Sequence, residues 1–161
     1  MEKGIIVFAF GQPSTISANK HLADFSRSLA LSLGIKYVFT QRDIGIDSII
    51  NFFIVERVEE DEKPPSTLFI AQKSLAWAKS HNLEGVVVFA APQHRWRCLR
   101  DIKKVYFGSN IRVIVPKVPN DHSFWYNRDS TQARTRSWLL WWPREILLRL
   151  LPFFIYKRVA R

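Results

Sequence analysis

His94 and Arg97 stand three positions apart, directly after the apolar stretch Gly85-Val86-Val87-Val88-Phe89-Ala90-Ala91. If a helix begins at that point, the spacing is one turn and both side chains share a face. Arg97 then supplies a permanent charge with a planar donor fork, and His94 a second donor able to shuttle protons. The free backbone amides of a first helical turn add to the pull on a phosphate or carboxylate. The chemistry these residues offer is that of an anion site. As bare residues they also fit a loop histidine beside an arginine of a solvated basic face.

The elements that would carry the pair follow from the apolar pattern. Three consecutive valines among apolar neighbours indicate a strand buried on both faces, terminated by Pro92, with a polar, arginine-rich helix from about His94 to Phe107. Ile5 to Phe10 is a first buried strand, closed by Gly11-Gln12-Pro13-Ser14. From Asn19 to Leu33, Leu22, Phe25, Leu29 and Leu33 recur at helical steps, and Gly34 marks the stop. Tyr37-Val38-Phe39 and Phe52-Phe53-Ile54-Val55 read as strands two and three, with a helical turn around Ile46 to Ile50. Ser66 looks like the N-cap of a helix from Thr67 to His81, with Leu68, Ala71, Leu75 and Ala78 on one face. Ile111 to Val115 is a fifth strand. Strands alternating with helices are the signature of right-handed βαβ units, so the expected fold is α/β: a Rossmann-like three-layer sandwich with a mainly parallel sheet of about five strands, in one domain spanning residues 1–161.

In such sheets ligands bind beyond the carboxyl ends of the strands, where strand order reverses. That rule selects Gly11, Gln12 and Ser14 after the first strand, Ser66 and Thr67 after the third, and Gln93, His94 and Arg97 after the fourth. The segment Ala90-Ala91-Pro92-Gln93-His94-Arg95-Trp96-Arg97-Cys98 resembles the strand-then-His-x-x-Arg-small motif of the YdcF-like family, the SanA/ElyC/YdcF group of bacterial proteins. The first strand ending at Gly11, Thr67 at the head of a helix, and Arg144-Glu145 are similar in order and spacing. The resemblance implies a Rossmann-like domain with a polar pocket for a nucleotide-like or phosphorylated ligand, and in some members a link to the cell envelope. Carried over by position, the pocket would use Gly11, Thr67, His94, Arg97 and Glu145. His94 and Glu145 would be its catalytic candidates, one as donor or general acid/base, the other as orienting carboxylate. Gly11, Gln12, Ser66, Thr67, Gln93 and Arg97 would be its ligand contacts. No cofactor is specified; a nucleotide-like compound such as an S-adenosyl compound suits the same chemistry. The family's Ser-x-x-Thr-x-Glu-Asn stands here as Pro64-Pro65-Ser66-Thr67-Leu68-Phe69-Ile70, without the leading serine and the Glu-Asn pair, and its glycine pair is reduced to Phe10-Gly11. The residues do not define a reaction.

The charge is lopsided. Of the net +10, Met1 to Pro92 contributes 9 basic against 10 acidic residues, while Gln93 to Arg161 contributes 15 against 4. An anionic partner is expected for the second part: a small molecule or an anionic membrane surface. Trp125, Trp138, Trp141 and Trp142 lie there with Arg144, Arg149, Lys157, Arg158 and Arg161, the composition of an interfacial helix. A basic, tryptophan-rich helix over about 138–156, starting near Pro143, is expected to pack on the domain with Trp138, Leu139, Leu147, Leu150 and Leu151 as core. Pro119 to Ser137 reads as a long loop, a lid or an ordered surface excursion. No helix-turn-helix, RRM, KH or zinc-finger pattern is present, which argues against nucleic acid. A P-loop and a nucleophile elbow are absent too. A single cysteine, Cys98, excludes an internal disulfide and a thiolate-rich zinc site. Glu59-Glu60-Asp61-Glu62 is a contiguous run that suits a solvated loop better than a metal site. The N-terminal apolar run is too short for a signal or a membrane span, and a cytoplasmic location is expected.

Overall fold

The structure, a computed structural model, describes residues 2–46, 53–58, 65–118 and 125–159. Its elements are β1 (Lys3–Val7), α1 (Ser17–Leu33), β2 (Tyr37–Thr40), β3 (Ile54–Arg57), α2 (Thr67–Ser80), β4 (Gly85–Phe89), α3 (Pro92–Val105), β5 (Arg112–Ile114), a 3-10 turn (Ala133–Thr135), α4 (Trp138–Leu150) and α5 (Phe153–Val159). The five strands form one sheet in the order β3-β2-β1-β4-β5, and every pairing is parallel. The expected α/β, Rossmann-like three-layer fold is thus the observed one.

Strand alternation splits the core in two. Ile5 and Val7 of β1 and Val87 and Phe89 of β4 face α1, packing with Ala18, Leu22, Ala23 and Ala30. Ile6, Val86 and Val88 face the opposite way, against Ile70, Ala71, Trp77 and Ala78 of α2 and Cys98 and Ile102 of α3. This partition is what right-handed crossovers require: the chain steps outward from β1 to β2, then reverses to place β4 and β5 on β1's other side, so the crossing helices change face. The reversal lies between β1 and β4. The strand-end rule therefore points to the region beyond Val7 and Phe89, between β1 and β4.

Several boundaries differ from expectation, each for a local reason. Pro92 begins α3 rather than merely ending the strand: its fixed φ suits the first helical turn, and the Ala91 carbonyl already accepts from the amides of His94 and Arg95. β3 runs on to Glu56 and Arg57, because an edge strand tolerates polar side chains; Phe52 lies outside the described residues, as do the acidic run and most of the segment around Ile46 to Ile50. Gly34 ends α1 in the left-handed conformation at φ 64°, as its position predicts. The C-terminal helix does not start near Pro143. Ser137 caps it, Pro143 sits inside α4, and Pro152 forces Leu151 into extended backbone, so two helices stand where one is expected. Trp138, Leu139, Leu147 and Leu150 are exposed, correcting the expectation that they are core; Trp141 and Leu148 are buried in their place. Among the described residues no helix is long and apolar enough to cross a membrane.

Candidate functional site

The side chains at the β1/β4 crevice come from three stretches of chain. α3, launched by β4, delivers His94 and Arg97, and both are buried. α4 delivers Trp141, Glu145 and Arg149 from its inward side. The segment between Trp125 and Ser137 delivers Tyr126 and Arg134, and it is pinned to the loop after β1. The Thr131 amide donates to the Gln12 carbonyl at 2.9 Å, the Ser130 and Thr135 hydroxyls bond at 2.7 Å, and Arg136 Nε donates to the Ser130 carbonyl at 2.7 Å. Of the long loop, residues 125–137 are therefore an ordered excursion, and residues 119–124 lie outside the described residues.

Gly11 explains how closely that segment approaches. Its φ is +94°, and a Cβ there would stand 2.6 Å from Thr135 Oγ1 and 2.9 Å from Ser130 Oγ. Asn19 fixes the same loop from α1: its side chain accepts from the Phe10 amide at 2.9 Å and donates to the Gly11 carbonyl at 3.0 Å. Nothing in the sequence pattern singled out Asn19, Ser130 or Thr135, because their partners are brought together only by the fold.

His94 is packed between rings. Its imidazole centroid lies 6.1 Å from Phe10 and 5.3 Å from Trp141, and neither ring nitrogen makes a hydrogen bond of standard geometry, although the Ala9 carbonyl lies near enough to favour its protonated form. Desolvation drives its pKa well below 6.5, and the guanidiniums of Arg97, Arg134 and Arg144 push the same way. The imidazole is neutral at pH 7. It can offer one N–H to a ligand and accept at the other nitrogen, but it is not the site's cation.

Guanidiniums are. Arg97 Nε stands 3.5 Å from Glu145 Oε2 without hydrogen-bond alignment, and its guanidinium lies 5.5 Å over the Trp141 ring. Arg149 Nε donates to Glu145 Oε1 at 3.2 Å and its Nη2 to the Gln93 carbonyl at 3.2 Å, while Trp96 and Trp142 flank it at 5.2 and 5.0 Å. Arg134 is pushed down to about 10 by desolvation first, then by Arg144 and Arg97; Glu145 opposes the shift. Burial likewise lowers Arg144, and Arg97 adds to it. Arg97 and Arg149 thus pair with one buried carboxylate, and Arg134 and Arg144 lie within its electrostatic reach. Arg97 Nε, Arg134 Nε and the Tyr126 hydroxyl are buried without hydrogen-bond partners. Burial pushes the Tyr126 phenol up to about 12, with Glu145 contributing, so it remains a donor.

Of the residues selected from the sequence, His94, Arg97 and Glu145 come together here, with Gln93 contributing its carbonyl to the brace on Arg149. Gly11 lies alongside, against the segment that carries Arg134. Gln12, Ser66 and Thr67 share no hydrogen bond, ion pair or ring contact with these three among the described residues. Gln12 Nε2 donates to Asp43 Oδ2 at 3.0 Å, and Ser66 Oγ caps α2 by accepting from the Phe69 amide at 3.2 Å. Thr67 Oγ1 donates to Asp101 Oδ2 at 2.6 Å. Sequence reasoning missed Arg134, Arg149 and Tyr126 as members, and it matched Arg144 only in order and spacing. The only available signal was the basic excess after Gln93, which does not say which arginines converge.

Among the described residues no cluster of His, Cys, Asp and Glu is arranged to hold a metal. Compared with protein-family models, with curated proteins and with solved structures, the chain matches none.

Proposed function

We propose that this chain is a YdcF-like α/β protein that binds an anionic small molecule, nucleotide-like or phosphorylated, beyond the C-terminal ends of β1 and β4. One observation carries the reading: Arg97 and Arg149 pair with a single buried carboxylate, Arg134 and Arg144 lie within its electrostatic reach, and the Nε groups of Arg97 and Arg134 are buried without a hydrogen bond. Like charges gathered where water is partly excluded repel one another, and the repulsion is costly unless opposite charge offsets it. An arrangement serving stability alone would carry matching carboxylates. An incoming phosphate or carboxylate supplies the missing negative charge and accepts from the idle donors. In this reading Arg97 and Arg134 clamp the anion, neutral His94 donates to it or passes a proton, and Glu145 holds Arg97 and Arg149 in place.

Calorimetric titration of inorganic phosphate, ADP and S-adenosylmethionine into the wild-type protein and Arg97→Ala tests this. At least one should bind, and the variant should lose on the order of tenfold or more in affinity, the scale of one charge-assisted hydrogen bond. Equal affinities, or no binding by any of the three, would remove the anion site.

A further inference from the structure

The outward side of α4 is apolar, where a helix lying on a domain is ordinarily polar. Its inward stripe is Trp141, Glu145 and Leu148, buried at four- and three-residue steps. Opposite them lie Leu139, Leu140, Ile146, Leu147 and Leu150, all at least half exposed and Leu150 at 76%. The usual arrangement is inverted: the one acid of the helix is inside, and the leucines are outside. α5 continues the theme with Phe154, Ile155 and Val159 exposed. Among the described residues, nine of the sixteen exposed large hydrophobics fall between Trp138 and Val159. Scattered single leucines need no explanation; a concentration of this kind marks a contact surface.

Charge identifies what the surface meets. Arg144, Lys157 and Arg158 are exposed beside the apolar positions and Arg149 is partly so, whereas the only carboxylate from 138 to 159, Glu145, is buried. We infer that α4 and α5 dock the protein on an anionic lipid bilayer, lying in the plane of its interface. The leucines and Phe154 enter the acyl boundary, the arginines and lysine extend to lipid phosphates, and Trp138 sits at the headgroup level. A second copy of the chain is a poorer occupant, since a two-fold contact joins two copies of a face that carries cations and no exposed carboxylate. Arg144 and Arg149 also belong to the anion cluster, so the charge test rests on Lys157 and Arg158, which do not.

Vesicle flotation of the full chain decides it, with phosphatidylcholine alone or with added phosphatidylglycerol. The wild type should float with the anionic vesicles, and binding should fall as salt rises. Lys157→Gln with Arg158→Gln should weaken binding about thirtyfold, taking about fivefold per basic residue at an anionic surface. Leu147→Glu with Leu150→Glu, both at exposed positions, should weaken it at least about tenfold with the thermal unfolding transition preserved. No flotation with either vesicle, or flotation unaffected by the glutamates, overturns the inference. So does a stable dimer in light scattering that the glutamates dissociate, which would give the face to self-association.

Discussion

Two polar clusters flank the same helix, and they are built on opposite terms. On the side of Asp101 every strong acceptor is used. Asp101 Oδ2 accepts from the Thr67 and Tyr156 hydroxyls at 2.6 Å each, and Oδ1 from Arg100 Nε at 3.4 Å. Arg100 Nη1 donates to the Leu148 carbonyl at 3.0 Å and the guanidinium stacks 3.7 Å over Tyr156, leaving Nη2 idle. One cation answers one anion. One turn earlier on α3, Arg97 and His94 face the opposite condition, an excess of donors and of positive charge over a lone carboxylate. A buried network whose charges match specifies structure; one with several cations around a single carboxylate is poised for something that is not part of the chain. Each of the following substitutions strikes one side of that contrast.

The largest effect is expected at Glu145. Glu145→Ala leaves Arg97 and Arg149 without their ion-pair partner and should cost about 3–5 kcal/mol in urea unfolding, with part restored by phosphate. A loss below about 1 kcal/mol would mean that the guanidiniums are effectively solvated, and the contrast between the clusters would collapse. Asp101→Ala comes next. Removing the acceptor leaves the Thr67 and Tyr156 hydroxyls only each other, at 3.0 Å, and Arg100 without its carboxylate, which should cost about 2 kcal/mol, while the phosphate response of the surviving fold stays at its wild-type value. A variant that unfolds less and also loses phosphate binding would merge the two clusters into one site.

His94 gives a smaller effect with a definite sign. Its folded pKa lies well below 6.5, so below about pH 6.5 the unfolded chain takes up a proton that the buried imidazole refuses. The contribution of neutral His94 to stability is intact above pH 6.5 and is lost as pH falls toward the folded value. The slope attributable to this one group is at most about 1.4 kcal/mol per pH unit. Unfolding midpoints of His94→Gln measured from pH 7 to pH 5 should fall less steeply than those of the wild type. Parallel curves would show that the imidazole is hydrated, and bound phosphate should shift the wild-type curve toward lower pH by favouring the protonated ring.

The sheet was legible because its signals are local: a run such as Val86-Val87-Val88 can be buried on both faces only in a central strand, and turn residues bracket it. The His94–Arg97 pair was legible for the same reason, being placed by one strand end and one helical turn. The rest of the cluster was not. Arg134 and Tyr126 reach the crevice because Ser130 and Thr135 pack on Gly11, a contact between positions more than a hundred residues apart that no periodicity encodes. α4 misled for a different reason. Leucines at helical steps were read as a core stripe, but Glu145 and Trp141 occupy the inward face, and a pattern of apolar residues shows that a stripe exists without showing which way it points.

Ser66 is the mildest probe, and it tests the rule that brought it into the candidate set. Its position after β3 makes it a ligand contact by the strand-end rule, and its hydrogen bond to the Phe69 amide makes it an N-cap. The cap alone predicts a loss of about 1 kcal/mol for Ser66→Ala and only a few tenths for Ser66→Gly, because glycine leaves the amides open to water. Phosphate binding should be unchanged in both. Ser66 follows β3 in the chain, but its neighbour Thr67 bonds to Asp101 of α3 and to Tyr156 of α5, which sets the start of α2 on the Asp101 side rather than among the guanidiniums. A weakening of phosphate affinity in the alanine variant beyond its loss of stability would extend the anion site to the start of α2 and set aside the reading that confines it to the ends of β1 and β4.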